Sequence, residues 1–324
     1  MNKIVFLLPY FGKLPDNFKL WLKSCKYNTS VDFIVITDDK TNYDYPSNVI
    51  VKYKTFDEIK KRIQDHFEFE VMIDRPWRLS LFKPAYGEIF EEEIEEYAFW
   101  GYCDADLMWG DISKFITDDL LEKYERIGTK GHASLYKNTK EVNSRYKTIV
   151  SDLANYKLVF SGKTEYSFDE NGMDEIYDYL NIPYYFKPYF AHLEKYESSF
   201  YLKRIPKDKL YTNRYQLFLW NKGKLERMYI DGEKVYQEEY MYIHFFCRPM
   251  KYVVGEPSDS QYIIYPDIVK PFDETVSAEL IKKHGKQCKL KFWIKMIWFN
   301  RKKITLKRIS KNIKNMVSYR FKNE

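Results

Sequence analysis

An α/β fold built on a mostly parallel sheet is predicted by three features of the first hundred residues. Apolar runs alternate with amphipathic segments, three of the four runs stop at a proline or acidic loop residue, and the runs have the length of strands buried on both faces. Ile4-Val5-Phe6-Leu7-Leu8 is continuous and ends at Pro9. A helix is expected from Asp16, carrying Phe18, Leu22 and Cys25 on one side. Phe33-Ile34-Val35-Ile36-Thr37 is the second strand and runs into Asp38-Asp39. Val49-Ile50-Val51 is the third and leads to a helix over 56–67. Pro84 is placed as the first residue of a helix reaching about Glu93, since its missing N–H costs nothing there. The strand Tyr97 to Cys103 then delivers the chain to Asp104-Ala105-Asp106.

Beyond Asp106 the pattern is less regular. Thr117 is expected to cap a helix over 118–126 that Gly128 and Gly131 terminate. Tyr215 to Trp220, the turn Asn221-Lys222-Gly223-Lys224 and Leu225 to Ile230 read as a hairpin. Tyr240 to Phe246 reads as one further strand, so the C-terminal portion is expected to be antiparallel.

The 324 residues, 45% hydrophobic and 31% charged, describe a globular chain long enough for a large core. Aromatics reach 19%. That suits stacking on sugar rings, and it equally follows from a composition heavy in Tyr, Lys, Asn and Ile. Cys25, Cys103, Cys247 and Cys288 are far apart and form no C-x-x-C, which fits a reducing compartment and offers no zinc framework. The Ile4–Leu8 run is too short for a signal-peptide core or a membrane span and reads as the first strand of a cytoplasmic protein. The net charge of +6 is unevenly divided. Residues 280–324 hold 15 Lys/Arg against the single acid Glu324, while residues 1–279 carry a net −8. The expectation is a mildly acidic body, 1–279, that does not bind nucleic acid, and a separate basic tail, 280–324.

The sharpest chemical signal is Cys103-Asp104-Ala105-Asp106-Leu107-Met108-Trp109-Gly110-Asp111. In an open parallel sheet ligands bind beyond the carboxyl ends of strands. Two carboxylates one residue apart at such an end can both reach a hard divalent cation, Mn2+ or Mg2+. An acidic loop that merely caps a turn uses the same letters. So do haloacid-dehalogenase-type phosphatases, in which Asp104 would be nucleophile beside Asp106; here Met108 stands where Thr or Val is needed.

The run from Ile4 to about Met250 resembles the bacterial capsular and exopolysaccharide glycosyltransferases of the GT-A class, the DUF6625-like group. The resemblance is carried by Leu8-Pro9-Tyr10-Phe11-Gly12, Leu81-Phe82-Lys83-Pro84-Ala85-Tyr86-Gly87, Gly101 to Asp106 with Gly110-Asp111-Ile112, Gly131 to Asn138, Phe168-Asp169-Glu170, and Tyr242 to Arg248. It implies a GT-A-type, Rossmann-like fold. It also implies transfer of a sugar from a nucleoside-diphosphate donor, UDP-linked by expectation, onto a growing glycan or lipid-linked acceptor. Asp106 would then be the direct metal ligand and Asp104 would bind ribose or metal, with His244 as third ligand or simply packed in its aromatic strand. Pro9, Tyr10 and Phe11 are candidates to stack on the base, with Asp38 or Asp39 accepting from it. Lys83, before the expected helix start at Pro84, would neutralise phosphate or stay solvated. Ala105 belongs to the donor loop. The sequence departs from the family where Phe245-Phe246-Cys247 replace more polar residues, leaving Arg248 for phosphate. Asp169 and Glu170 are the catalytic candidates on the acceptor side, or an acidic helix start, and His132 is a candidate to line the acceptor cleft.

In the tail, Lys289 to Phe299 is basic and aromatic, and Leu306, Ile309, Ile313 and Met316 follow at helical spacing among seven further basic residues. Charges interrupt any membrane span, so it is expected to lie on the anionic inner face of the cell membrane and make the enzyme peripheral there. Nucleic-acid binding and packing on the body are the alternatives for the tail, and a non-catalytic carbohydrate- or membrane-binding protein the alternative for the whole chain.

Overall fold

The computed structural model describes residues 3–187, 189–193, 200, 202, 215–255, 260–286 and 289–300. Along them run strands β1 (Ile4–Tyr10), β2 (Val31–Thr37), β3 (Val49–Tyr53), β4 (Phe99–Cys103), β5 (Leu107–Trp109), β6 (Arg126–Lys130), β7 (Ala133–Lys137) and β8 (Phe190–His192). After these come β9 (Gln216–Asn221), β10 (Lys224–Asp231), β11 (Lys234–Tyr240), β12 (Tyr242–His244), β13 (Lys251–Tyr252), β14 (Gln261–Tyr265) and β15 (Ile268–Pro271).

The main sheet has the order β3-β2-β1-β4-β7-β6. Its first four strands are parallel, and β7 and β6 close it as an antiparallel edge. This is the α/β architecture read from the sequence. The apolar run of β1 is continuous because both faces are covered. Val5 and Leu7 join Ile34, Ile36 and the helix residues Ile59 and Ile63 in one core. Ile4, Phe6 and Leu8 join Phe18, Trp21 and Leu22 from the helix Phe18–Lys26 in the other. The helix Phe56–His66 starts on a reciprocal cap, in which Thr55 Oγ1 accepts from the Glu58 amide and the Glu58 carboxylate accepts from the Thr55 amide.

Behind this sheet lie a second, largely antiparallel sheet of order β11-β10-β9-β14-β15-β13 and a small one of order β5-β12-β8. The hairpin expected over 215–230 is present, with its turn at Asn221–Lys224 as expected. Lys222 and Gly223 both have positive φ (47° and 86°), the two-residue connection that matches strand twist.

Three expectations are corrected. Pro84 does not begin a helix: it lies inside a 3-10 stretch, Pro76–Ala85, followed by the short helices Tyr86–Ile89 and Glu91–Ile94. That stretch is buried on nearly every side, at Leu79, Leu81, Phe82, Lys83 and Ala85, so no single apolar face selects a regular α-helix. Gly128 and Gly131 end no helix. The helix Asp118–Lys123 is followed by β6, where Gly128 takes φ +83° at a bulge, and Gly131 turns the chain into β7. The segment 240–246 is two elements. β11 ends at Tyr240, Met241 bonds across to Tyr189 and Gly110, and β12 enters the small sheet.

Candidate metal centre and active site

Strands β1 and β4 are neighbours from which the chain departs to opposite sides of the sheet, β1 toward β2 and β4 toward β7. That leaves a crevice at their carboxyl ends. Asp104-Ala105-Asp106 leaves β4 at this point and is held from three directions. The Asp104 amide donates to the His132 carbonyl (3.0 Å), the Ala105 carbonyl accepts from Asn17 Nδ2 (2.8 Å), and the Asp106 carbonyl accepts from the Phe245 amide (3.0 Å). Ala105 and Asp106 form a turn between β4 and β5 that buries Ala105 and brings both carboxylates within reach of one point.

Late in the chain, β12 brings His244 to them. His244 Nε2 lies 3.1 Å from Asp106 Oδ1 and 3.9 Å from Asp104 Oδ2, and one ligand atom from each of the three residues lies within 4.8 Å of the others. The second Asp106 oxygen accepts from the Cys247 amide at 3.0 Å. For that, Phe246 and Cys247 both take left-handed backbone (φ 49° and 51°), a costly conformation for residues with a Cβ. Burial pushes the Asp106 pKa up, yet the His244 charge and hydrogen bond and the Cys247 N–H prevail and hold it at about 2. Asp106 is therefore an anion at any working pH. Two carboxylate oxygens with one imidazole nitrogen suit a hard or borderline divalent cation, and the imidazole favours Mn2+ over Mg2+. Burial raises the pKa of the neighbouring Cys103 thiol, so it supplies no thiolate.

Lys83 is buried, and its Nζ is 2.6 Å from Asp104 Oδ1 and also donates to the Gly131 carbonyl. Burial opposes its charge, but Asp104 and then Asp169 outweigh it and raise its pKa. It is thus the counter-ion between two carboxylates and not a solvated lysine.

On the far side of Lys83, Asp169 and Glu170 occupy a π-helical turn, Phe168–Gly172, anchored by the buried Phe168. Tyr102 Oη donates to the Asp169 carbonyl at 3.1 Å. Glu170 Oε1 accepts from the Gly131 amide at 3.0 Å and its other oxygen is 3.9 Å from Lys130 Nζ, so Glu170 fastens the β6–β7 turn. Asp169 differs. Burial raises its pKa, Lys83 opposes, Glu170 and Asp104 add to the rise, and the result is about 7. A Cβ on Gly131 would sit 2.4 Å from Asp169 Oδ2. Gly131→Ala is therefore expected to displace Asp169 and lower turnover by about tenfold or more, with Mn2+ affinity little changed; titration calorimetry beside steady-state rates checks the split.

The remaining site candidates are placed as follows. Pro9 and Tyr10 are half-buried at the end of β1. Burial raises the Tyr10 hydroxyl pKa, and the charges of Asp106, Cys247 and Asp39 add to the rise. Phe11 is in the core, 5.6 Å from the Phe56 ring, so base stacking by Phe11 is corrected. Asp38 accepts from the Gly12 amide (2.7 Å) and Asp39 from Leu14 and Thr41, so both pin the loop after β1. Arg248 is buried with Nε on the Pro266 carbonyl (2.9 Å). His132 is buried too, its Nδ1 2.8 Å from Tyr242 Oη and its ring 4.5 Å from that of His244. It packs behind the candidate ligand.

Sequence reasoning missed His192, at 3% exposure, whose Nδ1 is 3.0 Å from His244 Nδ1. The available signal was a lone His in an apolar run, Tyr189 to Leu193, the same pattern that had drawn attention to His244.

Fold and site together define an α/β protein with a carboxylate–imidazole cluster that could hold a cation, at the switch point of a largely parallel sheet. The chain belongs to the DUF6625 family, described as a family of unknown function, whose profile matches residues 6–273. No curated protein matches the sequence. Among solved structures, the apo form of mouse xyloside xylosyltransferase 1 is similar at 10% identity, over 60% of this chain and 88% of that one, with a TM-score of 0.36.

Proposed function

We propose that this protein is a metal-dependent glycosyltransferase of GT-A type, moving a sugar from a nucleoside-diphosphate donor, UDP-linked by preference, to a capsular, exopolysaccharide or lipid-linked glycan. The observation that carries the reading is the meeting of Asp104, Asp106 and His244 at the carboxyl edge of β4, beside Tyr10. A diphosphate leaving group carries its charge on phosphate oxygens, and a cation held by these three residues would stabilise that charge as the glycosidic bond breaks. Tyr10 would stack on the base, and Lys83, paired with Asp104, would hold that carboxylate in place. Asp169 is the group suited to take the acceptor hydroxyl proton, because a carboxylate titrating near neutrality can both accept and release it. The direct test is a panel of nucleoside-diphosphate sugars with Mn2+, scored for donor hydrolysis and transfer. Binding of no donor in the presence of Mn2+ would sink the reading in favour of a non-catalytic protein, and acid-labile phosphorylation of Asp104 would replace it with phosphatase chemistry.

We further propose that the tail holds the enzyme on the anionic inner face of the cell membrane, near a lipid-linked acceptor. In the helix Lys289–Asn300, Leu290, Ile294 and Ile297 are exposed and spaced on one face. No helix among the described residues is long and apolar enough to cross a membrane. Residues 301–324, with the expected second amphipathic run, lie outside the described residues. Each basic residue near such a surface contributes roughly 1 kcal/mol. Removing 289–324 is expected to abolish sedimentation with anionic vesicles and leave donor hydrolysis intact; unchanged sedimentation would contradict the docking.

A further inference from the structure

The small sheet places two histidines directly opposite each other. His192 on β8 is the register partner of His244 on the parallel β12, and both are buried, at 3% and 4% exposure. Their Nδ1 atoms are 3.0 Å apart, with ring centroids 4.8 Å apart at 63°. Two facing nitrogens at that distance share one proton, so one ring donates and the other accepts. His132 packs 5.2 Å from His192 and 4.5 Å from His244, and the Phe246 ring lies 4.6 Å from His192, which fixes both planes.

We propose that His192 is the positioning residue of the metal centre: it accepts the Nδ1–H of His244 and so leaves the His244 Nε2 lone pair for the cation. The inference rests on the reading of Asp104, Asp106 and His244 as the cation site. His244 Nε2 is the nitrogen that faces both aspartates. To bind a cation it presents a lone pair, so any proton on Nε2 leaves and the proton kept by a neutral ring is on Nδ1. The group at hydrogen-bond distance from Nδ1 is His192 Nδ1, which must then be bare, its own ring proton being on Nε2. Proton count is preserved: each neutral ring holds one proton, and the cation takes only the lone pair at His244 Nε2. Because the sheet register sets the spacing of β8 and β12, the acceptor stays in line with Nδ1, and the His244 plane stays aimed at Asp106. A ligating histidine is ordinarily oriented by an acceptor on its other nitrogen. Here that acceptor is a neutral imidazole, which orients the ring without adding negative charge to a site already holding two carboxylates.

The test uses the full chain and Mn2+ alone, with affinity read by electron paramagnetic resonance. His192→Phe keeps a flat ring and removes the acceptor, whereas His192→Asn returns a carbonyl oxygen close to the place of Nδ1. The expected result is an affinity weakened about 10–100-fold by Phe and held within about threefold of wild type by Asn. A second measurement needs no variant. In the Mg2+-loaded wild type, the ring 15N shifts should show His244 protonated at Nδ1 and His192 bare at Nδ1. The role is overturned if the Phe and Asn variants bind Mn2+ alike, or if His192 Nδ1 carries the proton in the loaded protein. If the Phe variant fails to fold by circular dichroism, the 15N shifts decide. A wild type that binds no Mn2+ overturns the cation site itself and this role with it. That result is distinct from a wild type that binds while the Phe variant binds equally well, which removes only His192.

Discussion

Asp106→Ala is expected to abolish tight Mn2+ binding and to lower donor hydrolysis at least about a hundredfold, the scale of losing a main source of charge stabilisation on the leaving group. Asp106 is the hub of the site. One oxygen faces His244 Nε2 at 3.1 Å and the other accepts the Cys247 amide at 3.0 Å. Alanine therefore also releases the strained Phe246–Cys247 turn, and the loss it causes mixes metal chemistry with loop position. Asp106→Asn separates the two. An amide oxygen can still accept from Cys247, but a neutral side chain is a poor ligand for a hard cation. The asparagine variant should still unfold cooperatively, at a somewhat lower temperature because the ion pair with His244 is lost, while Mn2+ affinity collapses, as calorimetry on both variants would record; retained affinity would mean that Asp106 is not a ligand. Its pH dependence has a defined sign. The folded pKa of about 2 lies below the ordinary aspartate value, so Asp106 contributes stability that is present above that ordinary value and lost as pH falls toward 2. The asparagine variant should lack that part of the acid loss in metal-free protein.

How much of this was legible beforehand depends on whether a residue's role is written in its neighbours along the chain. β1 and β2 were legible because strands covered on both faces cannot alternate: Val5 and Leu7 serve one core, Ile4 and Phe6 the other. The helix Phe56–His66 was legible from its periodicity, and Thr55 and Glu58 carry a cap within four residues. Asp104 and Asp106 were legible because their position after β4 is a topological fact, and topology follows from the order of elements. The rest was decided by contacts across the fold. Lys83 before Pro84 has the local pattern of a helix start, but its charge is spoken for by Asp104, 21 residues away. Glu170 looked equivalent to Asp169 until the Gly131 amide claimed it. Phe11 is indistinguishable from a stacking residue until Phe56 meets it. His192 acquires meaning only when β8 pairs with β12, and no periodicity within either segment announces a three-residue strand.

Asp169→Asn should separate sugar transfer from donor binding. The carboxylate lies across Lys83 from Asp104, close enough that both raise the Lys83 pKa, yet it is not a member of the ligand cluster. Replacing it is expected to leave Mn2+ and nucleotide affinity near wild type and to reduce transfer to an acceptor by about 10²–10⁴-fold, the usual worth of a positioned base. Background hydrolysis of the donor should fall less, because water needs no base placed for a sugar hydroxyl. In the metal-free protein its pKa is about 7, raised first by burial and restrained by Lys83. A cation at Asp104 adds positive charge nearby, so the loaded enzyme should titrate at or below that value. Transfer by the wild type should accordingly climb with pH up to neutrality and then level, and this limb should vanish in the asparagine variant. Stability must move the other way. A carboxylate whose folded pKa exceeds its unfolded one favours the folded state while protonated, and that advantage is lost as pH rises from about 4 to about 7. At pH 8 the asparagine variant should therefore melt higher than wild type. A variant that is more stable but transfers less is the pattern expected of a charge kept buried for chemistry. A variant that melts lower and also loses metal would make Asp169 a structural residue, and the search for the base would pass to another carboxylate near the crevice.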